Sequence, residues 1–508
     1  MQMTSIEARD WIAHHAQAAP QREALHDLAS GRRFTYRAMN QRVTRAALLL
    51  RDTCAVQSGD RVAVLCHNDS DVFEIQFACQ RLGAIFLPLN WRLANPELEY
   101  ICQDAAPKVL LHGTEFADAA RHLVATCGIA TRVTMANGAD SDYERGVGAA
   151  SGAFGAWMPT LADTWTILYT SGTSGRPKGA LITYSMAHFN AVDCAIAGDL
   201  TSRAKNLVML PTFHTGGLNV WANPLFEAGG CNVVMRNFDP AALLGILKDK
   251  QLAITHTLGV PANFLMMAAE TGFADADLSH VMCLCVGGAA APESLIRRYD
   301  AVGVQLRAMY GMTEIGPLGL SLASEKRLEK IGSSGLPTLH TQMKVCNKDG
   351  SPTARGEVGE LLIRGPSVTP GYWNKPAESA AAFDADGWFH TGDAARQDDD
   401  GFYFIVDRWK DMFISGGENV YPVEVENAIY KHPGVFEAAV IGIVDEKWGE
   451  VGRAYVVPRA GTQVDEHAVI EHCRSLLAHY KIPKQVRIVP DLPHNATGKI
   501  LKHQLPRD

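Results

Sequence analysis

Residues 34–111 repeat one alternation, and that alternation narrows the fold more than any other feature of the chain. Residues 34–36 read as the end of a strand. Residues 36–51 then place Met39, Val43, Ala46, Ala47 and Leu50 at the spacing of an amphipathic helix. Residues 61–66, apolar from Val62 onward, read as a buried strand, and residues 72–82 return to helical spacing. Residues 83–87 form a further strand that Pro88 stops. Pro96 suits the first turn of a helix reaching Cys102, and residues 108–111 give one more strand. A repeated strand–helix unit implies a largely parallel sheet covered by helices. An opening helix is expected over residues 5–16, with Trp11, Ile12 and His15 on one face.

A chain of 508 residues is too long for one compact core, so at least two domains are expected. Further strands are predicted at 165–169, 207–211, 230–235, 254–258 and 281–286, with helices from about 185, at 239–250 and at 260–270. Residues 134–159, rich in Gly, Ala, Ser and Asp, read as a loop. Near residue 345 the texture shifts to shorter strands, 356–364 and 401–406, which residues 407–411 interrupt. The last hundred or so residues form their own unit, with strands at 438–443 and 454–457 and helices at 422–432 and 465–478. The domain boundary is placed at 407–410, giving units 1–407 and 408–508.

Composition excludes some functions. A hydrophobic share of 47%, a charged share of 20% and a net charge of -8 fit a globular protein and argue against a nucleic-acid-binding surface. The eleven cysteines are scattered, and Cys283 and Cys285 read as alternate positions on one strand. No Cys-x-x-Cys or Cys/His cluster suggests zinc, and the odd count argues against a full disulfide framework. No secretory signal and no transmembrane run of roughly 18 apolar residues is visible. The end, Leu505-Pro506-Arg507-Asp508, is no peroxisomal address. A reducing cytoplasm is the expected setting.

The chemistry gathers around Thr170, Ser171, Gly172, Thr173, Ser174, Gly175, Arg176, Pro177, Lys178 and Gly179. Glycines let backbone N–H groups curl around an oxyanion, hydroxyls add donors and Lys178 adds charge. The stretch is not a Walker A loop, since no Gly-Lys-Ser/Thr ends it. It resembles the phosphate loop of the acyl-adenylate-forming superfamily, which includes acyl-CoA synthetases, peptide-synthetase adenylation domains and firefly luciferase.

The remaining motifs follow in that superfamily's order from Thr170 to Lys502. Tyr310-Gly311-Met312-Thr313-Glu314 resembles its second ATP motif. There Glu314 is the candidate Mg²⁺ ligand, Thr313 a partner of the α-phosphate and Tyr310 a platform for adenine. Gly287, Gly288, Ala289, Ala290, Ala291 and Pro292 are small residues that by resemblance line the adenine and the acyl group; tight strand–helix packing would use the same residues. Asp393, in Trp388-Phe389-His390-Thr391-Gly392-Asp393, can accept the ribose hydroxyls, although a turn Asp is commonly an Asx cap. Arg408 is by resemblance the second ribose contact, and Lys410 the hinge. Ser415, Gly416 and Gly417 fall in a stretch that resembles the family's loop completing the tunnel for coenzyme A. Leu492-Pro493-His494-Asn495-Ala496-Thr497-Gly498-Lys499 is similar to the terminal signature, where Lys499 would place a cation between a carboxylate and an α-phosphate. His214, Thr215, Gly216, Gly217 and Asn219 resemble the acyl-pocket segment, with His214 as gate, and Gly259, Gly288 and Gly311 are assigned to the same pocket.

The resemblance implies a large N-terminal α/β domain, with two mixed sheets flanked by helices plus a β-barrel, and a small mobile C-terminal α/β domain. It implies an acid–thiol ligase that uses ATP, Mg²⁺ and coenzyme A on a small-molecule carboxylic acid. The small pocket residues are read for a medium- or long-chain fatty acid, with a cinnamate- or ferulate-like or polycyclic acid as the alternative. Rivals of another class are an adenylation enzyme loading a carrier protein and a non-catalytic adenylate binder. Oligomeric state is open, a homodimer being one option.

Overall fold

The computed structural model describes residues 6–155, 157–170, 176–408, 411–415, 418–494 and 500–507. A six-stranded sheet takes Thr131–Met135, Val109–Gly113, Arg61–Leu65, Ile85–Pro88, Thr164–Thr170 and Lys178–Thr183 in spatial order. All its pairs are parallel except the last, the antiparallel pair that flanks residues 171–177. The parallel βα expectation for the first part of the chain therefore holds.

A nine-stranded sheet has a parallel centre of Glu23–Asp27, Cys231–Val234, Lys205–Val208, His256–Gly259, Cys283–Val286 and Leu306–Gly311. Antiparallel strands close both edges, Arg33–Thr35 on one side and Leu318–Ser321 with Leu336–Pro337 on the other. Between the two sheets lie helices Tyr36–Leu48 and Ser70–Leu82, whose side chains share one core with strand residues of both: Val62 and Leu111 from one, Leu25 and Val234 from the other. Asp69 caps the Ser70–Leu82 helix, and left-handed Gly83, at φ 69°, ends it.

Gln342–Cys346, Gly359–Arg364, Phe389–Gln397 and Tyr403–Arg408 form an antiparallel sheet. A bridge from Tyr403 to Gly335 continues it into the edge of the nine-stranded sheet. Ile315, Leu320, Val345, Leu361 and Phe389 fill the space between them. The last unit is a sheet of Phe413–Ser415, Glu418–Val420, Val435–Asp445, Gly449–Pro458 and Gln485–Ile488, covered by helices Pro422–Ile429 and Glu466–Arg474.

Two expectations need correction. Residues 134–159 are not one loop: the strand Thr131–Met135 reaches into them, and the helix Asp142–Ala149 follows. Only Tyr143 and Val147 anchor that helix, too few for a visible period, while Ser141 caps it by accepting the N–H of Glu144. The first helix is Trp11–Ala18 and starts later than expected, because Asp10 caps it by accepting the N–H of Ala13. Cys283 and Cys285 do sit on one strand face, with sulfurs 3.2 Å apart, and all eleven cysteines are free.

Candidate active site

Thr170 stands opposite Lys178 in the antiparallel pair that carries the Gly/Ser/Thr stretch. Ser171, Gly172, Thr173, Ser174 and Gly175 lie outside the described residues. The flanks are tied to the turn after strand Leu306–Gly311. The Thr170 hydroxyl donates to Glu314 Oε1 at 3.3 Å, and the Tyr372 hydroxyl donates to the same oxygen at 3.2 Å. Lys178 Nζ stands 5.3 Å from the centre of the Tyr372 ring. Behind them, the Tyr169 hydroxyl donates to Asp104 Oδ2 at 2.6 Å, and Trp373 Nε1 donates to the Asp104 carbonyl at 3.2 Å. Glu314, 6% exposed, is thus a carboxylate oriented by hydroxyl groups beside a lysine. One hard oxygen donor of this kind is what Mg²⁺ takes from a protein when phosphate oxygens supply the rest, so the residues fit that ion.

Strand Leu306–Gly311 runs two residues past the predicted end at Met309, so Tyr310 and Gly311 pair with Leu320 and Leu318. A Cβ on Gly311 would lie 1.7 Å from the Pro317 carbonyl oxygen, so no larger residue fits that backbone. Tyr310 donates to Asp393 Oδ2 at 2.6 Å. Asp393 sits on strand Phe389–Gln397, opposite Arg408 in the ladder, and is buried. Thr313 is buried beside Glu314, and Met312 packs against the neighbouring core. Gly288, Ala289 and Ala290 are exposed at the end of strand Cys283–Val286, presenting small side chains to the open cleft. The adenine, ribose and metal candidates therefore converge on one place.

Two of the small residues expected near the acyl group lie against Leu258, while Gly259, Gly288 and Gly311 meet other residues. A Cβ on Gly216 would stand 3.7 Å from Leu258 Cδ2, and one on Gly287 would stand 3.7 Å from Leu258 Cδ1. A Cβ on Gly217 would lie 2.4 Å from the carbonyl oxygens of both Leu210 and Pro211. The side of Gly259 where a Cβ would stand is filled by Met209 and Phe264, so that glycine serves packing. His214 Nδ1 accepts the N–H of Gly216 at 3.0 Å and caps the short helix Thr215–Asn219. Asn219 donates to Thr215 Oγ1 at 3.2 Å and accepts from Asn223 at 2.8 Å. Both residues are buried and support the pocket wall. A small void remains between Gly216, Gly217, Leu210, Leu258 and Trp221. Trp221, 2% exposed, closes it in a cluster with Leu258, Met309 and Leu318. On the other side of His214, Phe213 meets Trp91, which meets His67 at 4.2 Å. Burial holds the His67 imidazole below its usual pKa, although Glu115 pulls the other way.

In the last unit, Lys410, Gly416, Gly417 and Lys499 lie outside the described residues. Ser415 is buried and pairs with Glu418 and Gly449. His494 and Ile500, which flank the Lys499 segment, form an antiparallel bridge. Asp407 Oδ2 accepts the N–H of Val423 at 2.9 Å, linking the strand end to the next helix.

Sequence reasoning did not find Tyr372, Asp104, Leu258 or Trp221. Gly371-Tyr372-Trp373 carries a signal, since a glycine at φ 145° before two aromatics marks a constrained turn. The other three act through contacts distant in sequence, for which the chain gives no local sign.

The AMP-binding enzyme family model matches residues 12–373, and the model of the AMP-binding enzyme C-terminal domain matches residues 424–499. The chain belongs to the AMP-binding enzyme family. Within that family it is 39% identical to a feruloyl-CoA synthase of Amycolatopsis sp, over 98% of both chains. It is 37% identical to a long-chain-fatty-acid–CoA ligase of Mycobacterium tuberculosis, over 97% of this chain and 96% of the relative. The o-succinylbenzoate CoA synthetase of Bacillus subtilis, solved with ATP and a magnesium ion, superposes with a TM-score of 0.88 at 30% identity, over 98% and 99% of the two chains. This AMP-binding enzyme is therefore an acyl- or aryl-CoA ligase by family, with the mixed α/β fold of its solved relatives. Among the described residues no helix is long and apolar enough to cross a membrane.

Proposed function

We propose that this protein activates a compact aryl carboxylic acid with ATP, as its acyl adenylate, and transfers the acyl group to coenzyme A. The observation that carries the choice of acid is the pocket floor. Trp221, Leu258, Met309 and Leu318 pack into one buried cluster, and Trp221 and Leu258 also line the small void beside Gly216 and Gly217. In this reading a flat acid lies along the exposed Gly288–Ala290 edge, and a long alkyl chain reaching past Gly216 and Gly217 would meet the buried Trp221. The 39% identity to a feruloyl-CoA synthase supports the same choice. The fatty-acid reading drawn from the small pocket residues stays as the second possibility, supported by the 37% identical long-chain-fatty-acid–CoA ligase.

In this reading a carboxylate oxygen attacks the α-phosphorus and the bond to pyrophosphate breaks. The stretch Thr170–Gly175 with Lys178 holds the phosphates, Thr313 bonds the α-phosphate, and Lys499 sets its charge between the two reacting anions. Mg²⁺ bound at Glu314 supplies neutralisation of phosphate charge. Tyr310 faces the adenine, while Asp393 and Arg408 hold the ribose. Residues 408–508 then turn about Lys410, withdrawing Lys499 and bringing Ser415, Gly416 and Gly417 to the coenzyme A tunnel beside His214. The thiol attacks the carbonyl and AMP leaves. A reducing cytoplasm suits the eleven free cysteines.

The test is CoA-dependent AMP release across acetate, palmitate, benzoate, cinnamate and ferulate. A sharp optimum among the aryl acids supports the reading. An optimum at palmitate replaces the acid and keeps the mechanism. Pyrophosphate exchange without CoA-dependent release would instead point to a carrier-protein-loading enzyme.

A further inference from the structure

We propose that Lys502 and His494 are positioning residues, whose ion pairs with Glu426 and Glu437 hold the two flanks of the Lys499 segment in register for adenylation. The proposal rests on the reading of Lys499 given above.

The described flanks are fixed at unequal strength. Upstream, Leu492 is buried in a small core with Ile441 and Val457, and downstream Leu505 enters the same core. The Tyr455 hydroxyl donates to the Pro506 carbonyl, and the Leu501 N–H donates to the Pro493 carbonyl at 2.7 Å. Between those anchors the polar side chains supply two ties. His494 Nε2 is 2.8 Å from Glu437 Oε1, on strand Val435–Asp445. Lys502 Nζ is 2.8 Å from Glu426 Oε1, on helix Pro422–Ile429.

Glu426 is itself held, because it accepts the Val440 N–H at 2.7 Å. The Lys502 amine therefore sits where the tail, the helix and the sheet meet. Burial works against its charge, but Glu426, Asp407 and Asp411 more than offset burial and raise its pKa. Asp407 and Asp411, whose charges act on the same ammonium group, border the expected hinge. His494 faces Glu437 and Asp491, and the hydrogen bond to Glu437 raises its pKa. A long lysine side chain magnifies small errors at its root, and a displacement of about 1 Å at a reacting group costs on the order of 10²-fold in rate.

The experiment compares both half-reactions in the full-length protein: acid-dependent ATP–pyrophosphate exchange, and thioester formation from supplied acyl adenylate. Lys502→Met is expected to lower the exchange kcat about 10- to 100-fold, with KM for ATP nearly unchanged and thioester formation spared. Lys502→Arg should restore most of the loss. Glu426→Gln keeps an acceptor for Val440 and removes the charge, so it should repeat the defect without a drop in melting temperature. As pH rises through the raised His494 pKa, the wild type should lose exchange kcat, and in His494→Gln that loss should disappear. Equal loss of both half-reactions, or superimposable pH profiles for wild type and His494→Gln, would overturn the proposal. Lys499→Ala is the control. If exchange survives in Lys499→Ala, the reading of Lys499 fails; if Lys499→Ala is dead and Lys502→Met is normal, only the present inference fails.

Discussion

Tyr310 donates a 2.6 Å hydrogen bond to Asp393, joining the nine-stranded sheet to the antiparallel sheet at the floor of the cleft. The bond aims the Asp393 carboxylate and fixes the plane of the Tyr310 ring at once. Tyr310→Phe keeps the ring and removes only the donor, so a buried carboxylate loses one partner. A hydrogen bond to a charged group contributes about 1.5–3 kcal/mol, and about 1.4 kcal/mol is tenfold in affinity. KM for ATP is expected to rise about tenfold in pyrophosphate exchange, with kcat little changed. Asp393→Ala should raise KM further, since it removes the proposed ribose acceptor itself.

Gly311→Ala tests the backbone of the same turn. Its Cβ would stand 1.7 Å from the Pro317 carbonyl oxygen, a contact no rotamer relieves. The strand must move, and Tyr310 and Thr313 move with it. The expected result is a fall in melting temperature together with loss of exchange activity. Gly303→Ala, at an exposed turn with nothing within 4 Å of its Cβ, is the control. It should show only the smaller strain of an alanine at φ 76°.

The parts of the site that were legible in the sequence are those whose chemistry is local. A glycine-rich stretch ending in Lys178, or Tyr310 through Glu314, announces itself because the residue types that carry its chemistry are consecutive in the chain. The parallel sheet was legible for a similar reason: after Arg61 and Lys108, residues 62–66 and 109–111 are apolar throughout, as strands buried on both faces must be. The strand Glu23–Asp27 was not, because Glu-Ala-Leu-His-Asp has neither alternation nor an apolar run; it is placed by pairing with Cys231–Val234, some two hundred residues away. Asp104 under Tyr169 is silent in the same way, and the turn at Gly371 marks Tyr372 but not its partner Glu314. Each acts on a residue far along the chain, and no spacing rule connects them.

His256 makes stability depend on pH on the acid side. It is buried, with Nε2 2.7 Å from the Gly198 carbonyl and Nδ1 2.7 Å from Thr255 Oγ1. A neutral ring bearing its proton on Nε2 satisfies the carbonyl and leaves Nδ1 to accept. Burial, with Arg307 adding to it, lowers the pKa from 6.5 to about 4. The unfolded chain therefore binds the proton first as pH falls. The stabilisation is fully present above pH 6.5 and is lost between there and about 4, on the order of 3 kcal/mol in all. His256→Gln should be less stable at neutral pH, yet its urea midpoint should fall less steeply between those limits. Parallel curves for the two proteins would show that His256 is not the group responsible.

Trp221 is the residue whose replacement should change which acid is used. Its ring fills the space beside helix Tyr184–Gly198, where a Cβ on Gly198 would lie 2.6 Å from Cη2. It also borders the void under Gly216 and Gly217. Its Nε1 meets no acceptor among the described residues, so Trp221→Leu gives up packing and no hydrogen bond. Shrinking a buried aromatic leaves a cavity and costs up to about 3–5 kcal/mol, which the melting temperature will register. That cavity opens toward the acyl site. With ferulate, KM should rise several-fold as the flat ring loses its floor. With octanoate or longer acids, kcat/KM should rise, because the space that an alkyl chain needs now exists. If the variant loses stability but keeps the wild-type ranking of acids, Trp221 is core packing alone, and the boundary of the acyl pocket lies nearer to Leu258.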